Sequence, residues 1–374
     1  MNEIKLYLSQ HYEFRINLLR QQTEFRPLNA TDFAPLDELS LNTIYVEILS
    51  QGIACNYKQL QCLLYSRQQQ TYHPVRDYIL HLPAWDGRDR ITPLAQRVSR
   101  EELWVDTFRI WMRAMAAQWF GHPMQAANSM VPVLVSERQG LRKSTFCRML
   151  VPPELQNYYL DKLDFTVAGE YDRMLAQNCL INLDEMDRYS PRAMSRFKAA
   201  TQMQSVLGHS TRTTLITNAP RLASFIATTN QVRLLQDRTG SRRFFCVQVP
   251  HTISCAPINH AQVYAQLREE VLRGDRTWFT KQEERRIQRH NESFYTLSPV
   301  QEMILQHFRT PDKGEATTPL PPRQIYDTLQ ASHPQLMRTL RPCDLGQHLR
   351  SLFAATARHR DGHHYYAVPL TTTT

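Results

Sequence analysis

The chain has 374 residues, of which 42% are hydrophobic and 21% charged, and its mean hydropathy is −0.47. This composition predicts a globular protein of about two to three domains and excludes wholesale disorder and collagen-like repeats. The sequence has no apolar run long enough to span a bilayer, and residues 1–22 mix charged with polar groups. Neither a membrane span nor a signal peptide is therefore predicted.

The charge is strongly basic and is carried by arginine. The net charge is +9, and arginines outnumber lysines 37 to 7. The planar guanidinium matches phosphate in a bidentate way, so the bias modestly favours an anionic partner; a genome-wide preference for arginine codons is the alternative. The seven cysteines are odd in number and form no CxxC pair. They predict buried free thiols and a cytoplasmic location.

The first quarter of the chain is predicted to be mostly helical. Apolar residues such as Ile44 and Ile48 are set in polar sequence, with few turn signals before Pro74. A turn is predicted at residues 83–87, and a helix follows at residues 103–120. Its aromatic side chains recur at spacings of three and four, which is typical of a helix packed against a core.

Between residues 130 and 250 the pattern changes to short apolar runs separated by helix-like segments, which indicates buried parallel strands in an α/β layer. The predicted strands are Val131–Val135, Cys179–Leu183, Ser224–Thr228 and Phe244–Val249. Helices at residues 263–272 and 283–290 are expected to complete this domain.

The tail, residues 297–374, has three short helical patterns at residues 300–308, 323–329 and 345–353. Two strand-like runs then flank Asp361-Gly362, a dipeptide that favours a tight hairpin turn. Three helices and a hairpin predict a winged-helix-like domain, a shape that binds nucleic acid or, in other proteins, packs against protein partners.

Residues 136–146 follow a predicted strand and open a helix, which is the layout of a nucleotide phosphate-binding loop. Lys143 is predicted to reach the β and γ phosphates, and the Ser144 hydroxyl to bind Mg²⁺. The usual pattern has glycines where this chain has Glu137 and Arg142. The predicted ATP-binding residues are Gln139, Gly140, Leu141, Arg142, Lys143, Ser144 and Thr145.

Two adjacent carboxylates, Asp184 and Glu185, follow the second long apolar strand. In ATPases one such carboxylate holds the Mg²⁺ sphere, a role predicted for Asp184. The next polarises the attacking water, a role predicted for Glu185. An ordinary acidic strand end would look the same, but the spacing from Lys143 makes the pair more informative than either motif alone.

Polar and basic residues follow the next two strands. Asn230 comes directly after Ser224–Thr228 and is predicted to position water or the γ phosphate. Arg242 and Arg243 lie on a turn that enters the last strand, where they are predicted to reach a γ phosphate across a subunit boundary. A surface ion pair with Asp237 is the alternative for these arginines.

These elements occur in the order that ring ATPases use, and their residues resemble the motifs of the virulence-associated E family. That family belongs to phages, plasmids and genomic islands and is related to superfamily three replicative helicases. The resemblance covers residues 70 to 295. It is carried by residues 73–78, Trp85-Asp86-Gly87, Gln139-Gly140, Lys143–Phe146, Asp184-Glu185, Pro220-Arg221, Thr228–Asn230 and Gly240–Phe244.

The resemblance implies an α/β P-loop (AAA+-like) ATPase core, here with a helical N-terminal region and a C-terminal winged-helix-like domain. The expected domains are residues 1–125, 126–296 and 297–374. The family usually carries a glycine next to the lysine of the loop, and Arg142 replaces it here.

The leading interpretation is an ATP-dependent, helicase-like DNA motor that replicates a mobile genetic element. ATP and Mg²⁺ are the expected cofactors; single-stranded or forked DNA, further copies of the chain in a hexameric ring, and a primase are the expected partners. One alternative is a nucleotide-binding but inert DNA-binding initiator or assembly scaffold. The other is a regulatory factor whose tail binds protein.

Overall fold

The structure is a computed structural model. It describes every residue except 67, 168, 210–215, 236–239, 313, 357–362 and 371–374. The chain forms two compact units. The first contains Met1–Val232 and Asp237–Ser293, and the second contains Arg233–Gln236 and Phe294–Thr374.

The first unit begins with helices that alternate with a small sheet. Its elements are α1 (Asn2–His11), β1 (Tyr12–Asn17), β2 (Gln22–Pro27), β3 (Ala34–Pro35), α2 (Glu38–Ser50), α3 (Tyr57–Leu64), β4 (Gln70–Tyr72), α4 (Pro74–Leu80) and α5 (Ile91–Gln96). The strand order is β3-β2-β1-β4, with β1 antiparallel to β2 and parallel to β4. Leu41, Ile44 and Ile48 of α2 pack into the core of this region.

The helical prediction for this region missed the sheet. The β1–β2 hairpin turns through residues 18–21 without glycine, proline or asparagine, so the usual turn signals are absent. Gln21 instead takes the left-handed conformation, with φ 53°. The alternation of Phe14 and Ile16 with polar neighbours in β1 was the signal that favoured a strand.

The α/β core follows. Its elements are α6 (Glu102–Trp119), β5 (Val131–Val135), α7 (Lys143–Met149), β6 (Tyr159–Leu160), α8 (Glu170–Gln177), β7 (Leu180–Leu183), α9 (Pro191–Ala200), β8 (Ser205–His209), β9 (Ile216–Pro220), β10 (Ser224–Thr229), β11 (Phe244–Gln248), α10 (His260–Leu272) and α11 (Lys281–His290). The four predicted strands are confirmed to within one residue at each end. The aromatic stripe of α6 is buried, as predicted.

Five of these strands form one parallel sheet with the order β11-β5-β10-β7-β6. A parallel sheet is covered on both faces, which explains why β5 and β10 are entirely buried. Helix α6 packs its tryptophans into this core, and Trp104 stacks on Phe245 of β11 with ring centroids 5.9 Å apart. Strands β8 and β9 form a separate antiparallel pair.

The second unit is built from α12 (Pro299–His307), β12 (Phe308–Arg309), α13 (Pro322–Ser332), α14 (Pro334–Thr339), α15 (Pro342–Leu352) and β13 (Val368–Pro369). The three predicted helices are confirmed as α12, α13 and α15, while α14 was missed. Strands β12 and β13 are antiparallel, and a core that includes Ile304, Leu329 and Leu349 joins the helices. The predicted turn at Asp361-Gly362 lies outside the described residues.

All seven cysteines are free thiols. Cys147, Cys179 and Cys246 are buried, as expected, but Cys62 and Cys343 are exposed. Among the helices of the described residues, none combines the length and apolar character needed to cross a membrane.

Candidate functional site

The carboxyl ends of β5, β7 and β10 bring polar residues to one edge of the parallel sheet. Val135 pairs with Thr229, and Ala227 pairs with Leu183, so the residues that follow these strands start within two residues of the same level. After β5 the chain crosses to β6, at the far edge of the sheet. It returns through β7 and β10 and then forms β11, which lies on the side of β5 opposite to β10. Such a change of direction opens a crevice at the carboxyl ends, where α/β sheets bind ligands.

Lys143 begins α7, and its side chain points to this edge. Phe146 and Cys147, one turn further along the helix, are buried and hold α7 against the sheet. The Nζ atom of Lys143 donates hydrogen bonds to Ser136 Oγ at 2.6 Å and to Asn230 Oδ1 at 2.8 Å. Lys143 is therefore a buried cation that binds two neutral oxygens, one after β5 and one after β10.

Burial lowers the pKa of Lys143, because desolvation penalises the charged ammonium. The carboxylates of Asp184 and Asp187 act in the opposite direction and favour the charge. In the described part of the chain, no carboxylate oxygen lies within ion-pair distance of Nζ. The cation is thus available to a further anion at the edge of the sheet.

Ser144 is linked to the acidic strand end. Its hydroxyl donates to Asp184 Oδ1 at 2.5 Å, and the hydroxyl of Thr228 donates to the same oxygen at 2.6 Å. A hydroxyl beside a carboxylate is the oxygen-donor chemistry that Mg²⁺ prefers. The described residues contain no group of three or more His, Cys, Asp or Glu side chains that could hold a metal by themselves. A cation here would therefore need further oxygens, such as those of phosphate.

Glu185 is held in an unusual backbone conformation, with φ 53° and ψ 55°. Its backbone N–H donates to Thr228 Oγ1 at 3.2 Å, which fixes the turn after β7. Its carboxylate forms an ion pair with Arg188 at 2.7 Å. Non-glycine residues with left-handed backbone are uncommon and concentrate at functional sites.

The loop from Gln139 to Thr145 presents mainly backbone and exposed side chains. Within the described residues, none of its seven backbone N–H groups donates a hydrogen bond to the protein. The loop is anchored instead by its Leu141 carbonyl, which accepts from the Ile253 N–H at 3.1 Å. Such a row of available donors is what a phosphate-binding loop requires.

The two residues that stand where the usual loop has glycine, Glu137 and Arg142, differ in backbone conformation. Arg142 takes φ 61° and ψ 29°, the left-handed conformation that favours glycine. Glu137 is not among the described non-glycine residues with positive φ. Gly140 adopts φ 77°, so the remaining glycine stands where one is needed.

Replacing Arg142 with glycine should stabilise the fold, because a left-handed non-glycine residue costs about 1 kcal/mol. We expect the free energy of urea unfolding to rise by about that amount. Nucleotide affinity should be unchanged or higher. Arg138→Gly is the matched control, because Arg138 is exposed in the same loop with ordinary backbone and should lose stability. A large loss of nucleotide affinity in Arg142→Gly would instead make Arg142 a phosphate ligand.

Arg242 and Arg243 lie at the other edge of the sheet. They directly precede β11, whose first residue Phe244 pairs with Val131, the first residue of β5. They line a cavity of about 190 Å³ together with the segment that precedes β5, which ends at Met130, and with Trp278 and Glu284. The five residues of β5 span roughly 16 Å. Within one subunit these arginines are therefore separated from Lys143, and the structure does not bring them into the same site.

The family model of the virulence-associated protein E-like domain matches residues 79–296, which is more than half of the chain. The chain belongs to this family. The resemblance noted in the sequence is thereby confirmed, and the match covers Lys143, Ser144, both acidic residues and Asn230.

Among solved structures, this virulence-associated protein E-like chain is similar to the apo structure of the NrS-1 C-terminal region (305–718), with 10% identity, 98% coverage of both chains and a TM-score of 0.47. It is also similar to an A-form apo structure of the same region, with 11% identity, coverage of 81% of this chain and 76% of that chain, and a TM-score of 0.45. Comparison with curated proteins gives no match.

Four residues of this virulence-associated protein E-like site were given no role in the sequence analysis: Ser136, Asp187, Thr228 and Thr229. Thr229 donates to Asp187 Oδ1 at 2.6 Å, which ties the turn after β7 to the end of β10. Ser136, Thr228 and Thr229 lie at or just after a strand end, and that position was the available signal, whereas Asp187 lies in the turn that follows β7. Their partners follow from strand register, which periodicity alone does not provide.

Thr228 positions both acidic residues, because one hydroxyl donates to Asp184 and accepts from the Glu185 N–H. Thr228→Val removes both hydrogen bonds with little change in volume. For the ATP hydrolysis that the sequence predicts at this site, we expect the rate to fall about tenfold, since a lost buried hydrogen bond costs roughly 1–3 kcal/mol. Thr228→Ser keeps the hydroxyl and should restore the rate. Equal rates for the valine and serine variants would contradict this role.

Proposed function

We propose that this chain is an ATP-dependent, helicase-like motor that acts on DNA in the replication of a mobile genetic element. One observation carries the proposal. Lys143, Ser144, Asp184 and Asn230 come from three different segments, yet side-chain hydrogen bonds of 2.5 to 2.8 Å join them at one edge of the sheet. A buried cation, a hydroxyl, a carboxylate and a polar amide are the groups that phosphoryl transfer uses.

The residues present fit ATP and Mg²⁺. Lys143 and the N–H groups of the loop from Gln139 to Thr145 would hold the phosphates, because they offer a cation and a row of free donors. Ser144 and Asp184 would hold Mg²⁺ through the two oxygens that now share a proton. When bound, the nucleotide supplies the phosphoryl group that passes to water, and the metal neutralises its charge.

Two further side chains, Glu185 and Asn230, are available to act on the attacking water. Glu185 directly follows Asp184 and is half-buried, so its carboxylate is placed to accept a proton from water. Asn230 holds Lys143 through its Oδ1 atom, which leaves its amide N–H groups to orient water or phosphate. The role of Glu185 requires that its carboxylate leave the ion pair with Arg188.

The position of Arg242 and Arg243 supports a homo-oligomer, with a hexameric ring as its form. Because they lie at the opposite edge of the sheet from Lys143, they serve an ATP site only when a neighbouring copy presents them. We further propose that the second unit is a winged-helix-like module that contacts DNA, that a primase is a partner, and that the protein acts in the cytoplasm.

The experiment that tests the proposal is ATP hydrolysis by the full chain, with and without single-stranded DNA. We expect hydrolysis that DNA stimulates, together with a ring seen by particle-mass measurement when an ATP analogue is present. Nucleotide binding without hydrolysis would support a second candidate, an inert DNA-binding initiator or scaffold. The Glu185–Arg188 ion pair favours that candidate, because it occupies the carboxylate that hydrolysis needs.

A further inference from the structure

Helix α11 sorts its charged side chains by sign. Ile287 is fully buried and marks the side that faces the core. Lys281, Arg285 and Arg289 recur at every fourth residue, so they form a row on the opposite side, and all three are exposed. Arg286 is also exposed and lies beside this row. The outward face of α11 therefore carries four cations.

The carboxylates of α11 lie elsewhere. Glu283 accepts from the Thr280 N–H at 2.7 Å and from Arg276 at 2.9 Å, and the Arg276 hydrogen bond lowers the pKa of Glu283 to about 2. Glu284 is half-buried and lines the cavity beside Arg242. Among the described residues, none of the four outward cations has a carboxylate oxygen within 4.0 Å.

This row is not explained by helix stability. Like charges four residues apart repel, and solvation of a helix face needs charge but not charge of one sign. The row advances about 6 Å at each step, so its three cations can meet separate groups of an extended polyanion. The guanidinium of arginine matches phosphate oxygens in particular.

An exposed aromatic side chain stands at the start of the row. Trp278 precedes the capping residue Thr280 and is 36% exposed, unlike the buried tryptophans of α6. The guanidinium of Arg276 lies over its ring, 5.4 Å from the centroid. Trp278 also lines the cavity beside Arg242 and Glu284, three residues before the first cation of the row. An accessible indole near a basic helix face is a combination that binds unpaired bases, because a base can stack on the ring while the cations hold the backbone.

We propose that the outward face of α11, with Trp278, binds single-stranded DNA. The four cations contact phosphates, and Trp278 stacks on a base. The inference rests on the proposed function only in taking DNA as the partner, and it adds the surface that binds it. The surface adjoins the turn Gly240–Arg243 at the amino-terminal edge of the sheet, away from Lys143.

The test measures binding of the full chain to a fluorescent oligothymidylate by anisotropy over a range of salt concentrations. Arg285→Gln with Arg289→Gln removes two phosphate contacts. Because each contact to a single strand contributes about 0.7 to the salt slope, the slope should fall by about 1.4 and the affinity by about 20-fold at 0.1 M salt. Trp278→Ala should weaken binding about tenfold.

Lys58→Gln with Arg76→Gln is the matched control. Both residues are exposed in the first unit and have no ion pair within the described residues, so the same charge is removed elsewhere. This variant should bind within about twofold of wild type and keep its salt slope. Equal affinity and slope for the α11 variant and the control would overturn the proposal. Equal or tighter binding of duplex DNA or of oligouridylate would overturn the assignment to single-stranded DNA.

Basal ATP hydrolysis without DNA separates this proposal from the proposed function. The Arg285→Gln, Arg289→Gln variant should keep the wild-type basal rate, because neither residue lies at the Lys143 edge of the sheet or lines the cavity beside Arg242 and Arg243. A wild type that binds oligothymidylate through α11 but hydrolyses no ATP would support this surface and contradict the motor. If the wild type hydrolyses ATP and the α11 variants bind DNA normally, the motor is supported and the α11 surface is contradicted.

Discussion

Lys143→Ala should abolish nucleotide binding and ATP hydrolysis. The ammonium is a buried cation at the carboxyl edge of the sheet, held by hydrogen bonds to Ser136 and Asn230, and the proposed function assigns it to the phosphates of ATP. Charge-assisted hydrogen bonds contribute about 1.5–3 kcal/mol each, so the loss of two such contacts to phosphate should weaken ATP binding at least about 100-fold. Titration with a fluorescent ATP analogue measures this loss.

The control must separate lost binding from lost folding. Lys58→Ala removes an exposed lysine and should leave affinity unchanged. Lys143→Met keeps most of the side-chain volume, so it should melt near the wild-type temperature and still fail to bind nucleotide. Wild-type nucleotide affinity in a folded Lys143→Met protein would remove the phosphate-loop interpretation, and with it the assignment of Ser144 and Asp184 to Mg²⁺.

The parallel core could be predicted from the sequence because its strands are buried on both faces. Continuous apolar runs such as Val131–Val135 and Leu180–Leu183 report that burial directly. The polar residues that follow them were found for the same reason, since they interrupt the runs. Asp184 and Asn230 therefore stood out without any knowledge of how the strands pair, and Lys143 stood out because Lys-Ser-Thr opens the helix after the first strand.

The rest of the site depends on register and on turns that leave no local signal. Thr228 meets Asp184 because β10 lies beside β7, and strand order cannot be read from periodicity. Arg142 and Glu185 take left-handed backbone that their residue types disfavour. The position of Arg242 and Arg243 at the amino-terminal edge was accessible in principle, because they precede a strand parallel to β5.

Because the arginines lie at that edge, we expect ATP hydrolysis to recover when two inactive variants are mixed. Lys143→Ala lacks the nucleotide site but keeps both arginines, and Arg242→Ala with Arg243→Ala has the reverse defect. The arginines and Lys143 lie at opposite edges of the sheet, so in the proposed oligomer a complete site takes the loop of one copy and the arginines of its neighbour. Each variant alone should be inactive, and the mixture should hydrolyse ATP.

The size of the recovery follows from random assembly. At equal amounts, about one interface in four joins an intact loop to intact arginines, so hydrolysis should reach about a quarter of the wild-type rate. It should fall towards zero as either variant is added in excess. Particle-mass measurement checks that the variants assemble together. If mixed assemblies form and no ratio restores hydrolysis, the arginines act within their own subunit or only support the fold at the amino-terminal edge of the sheet.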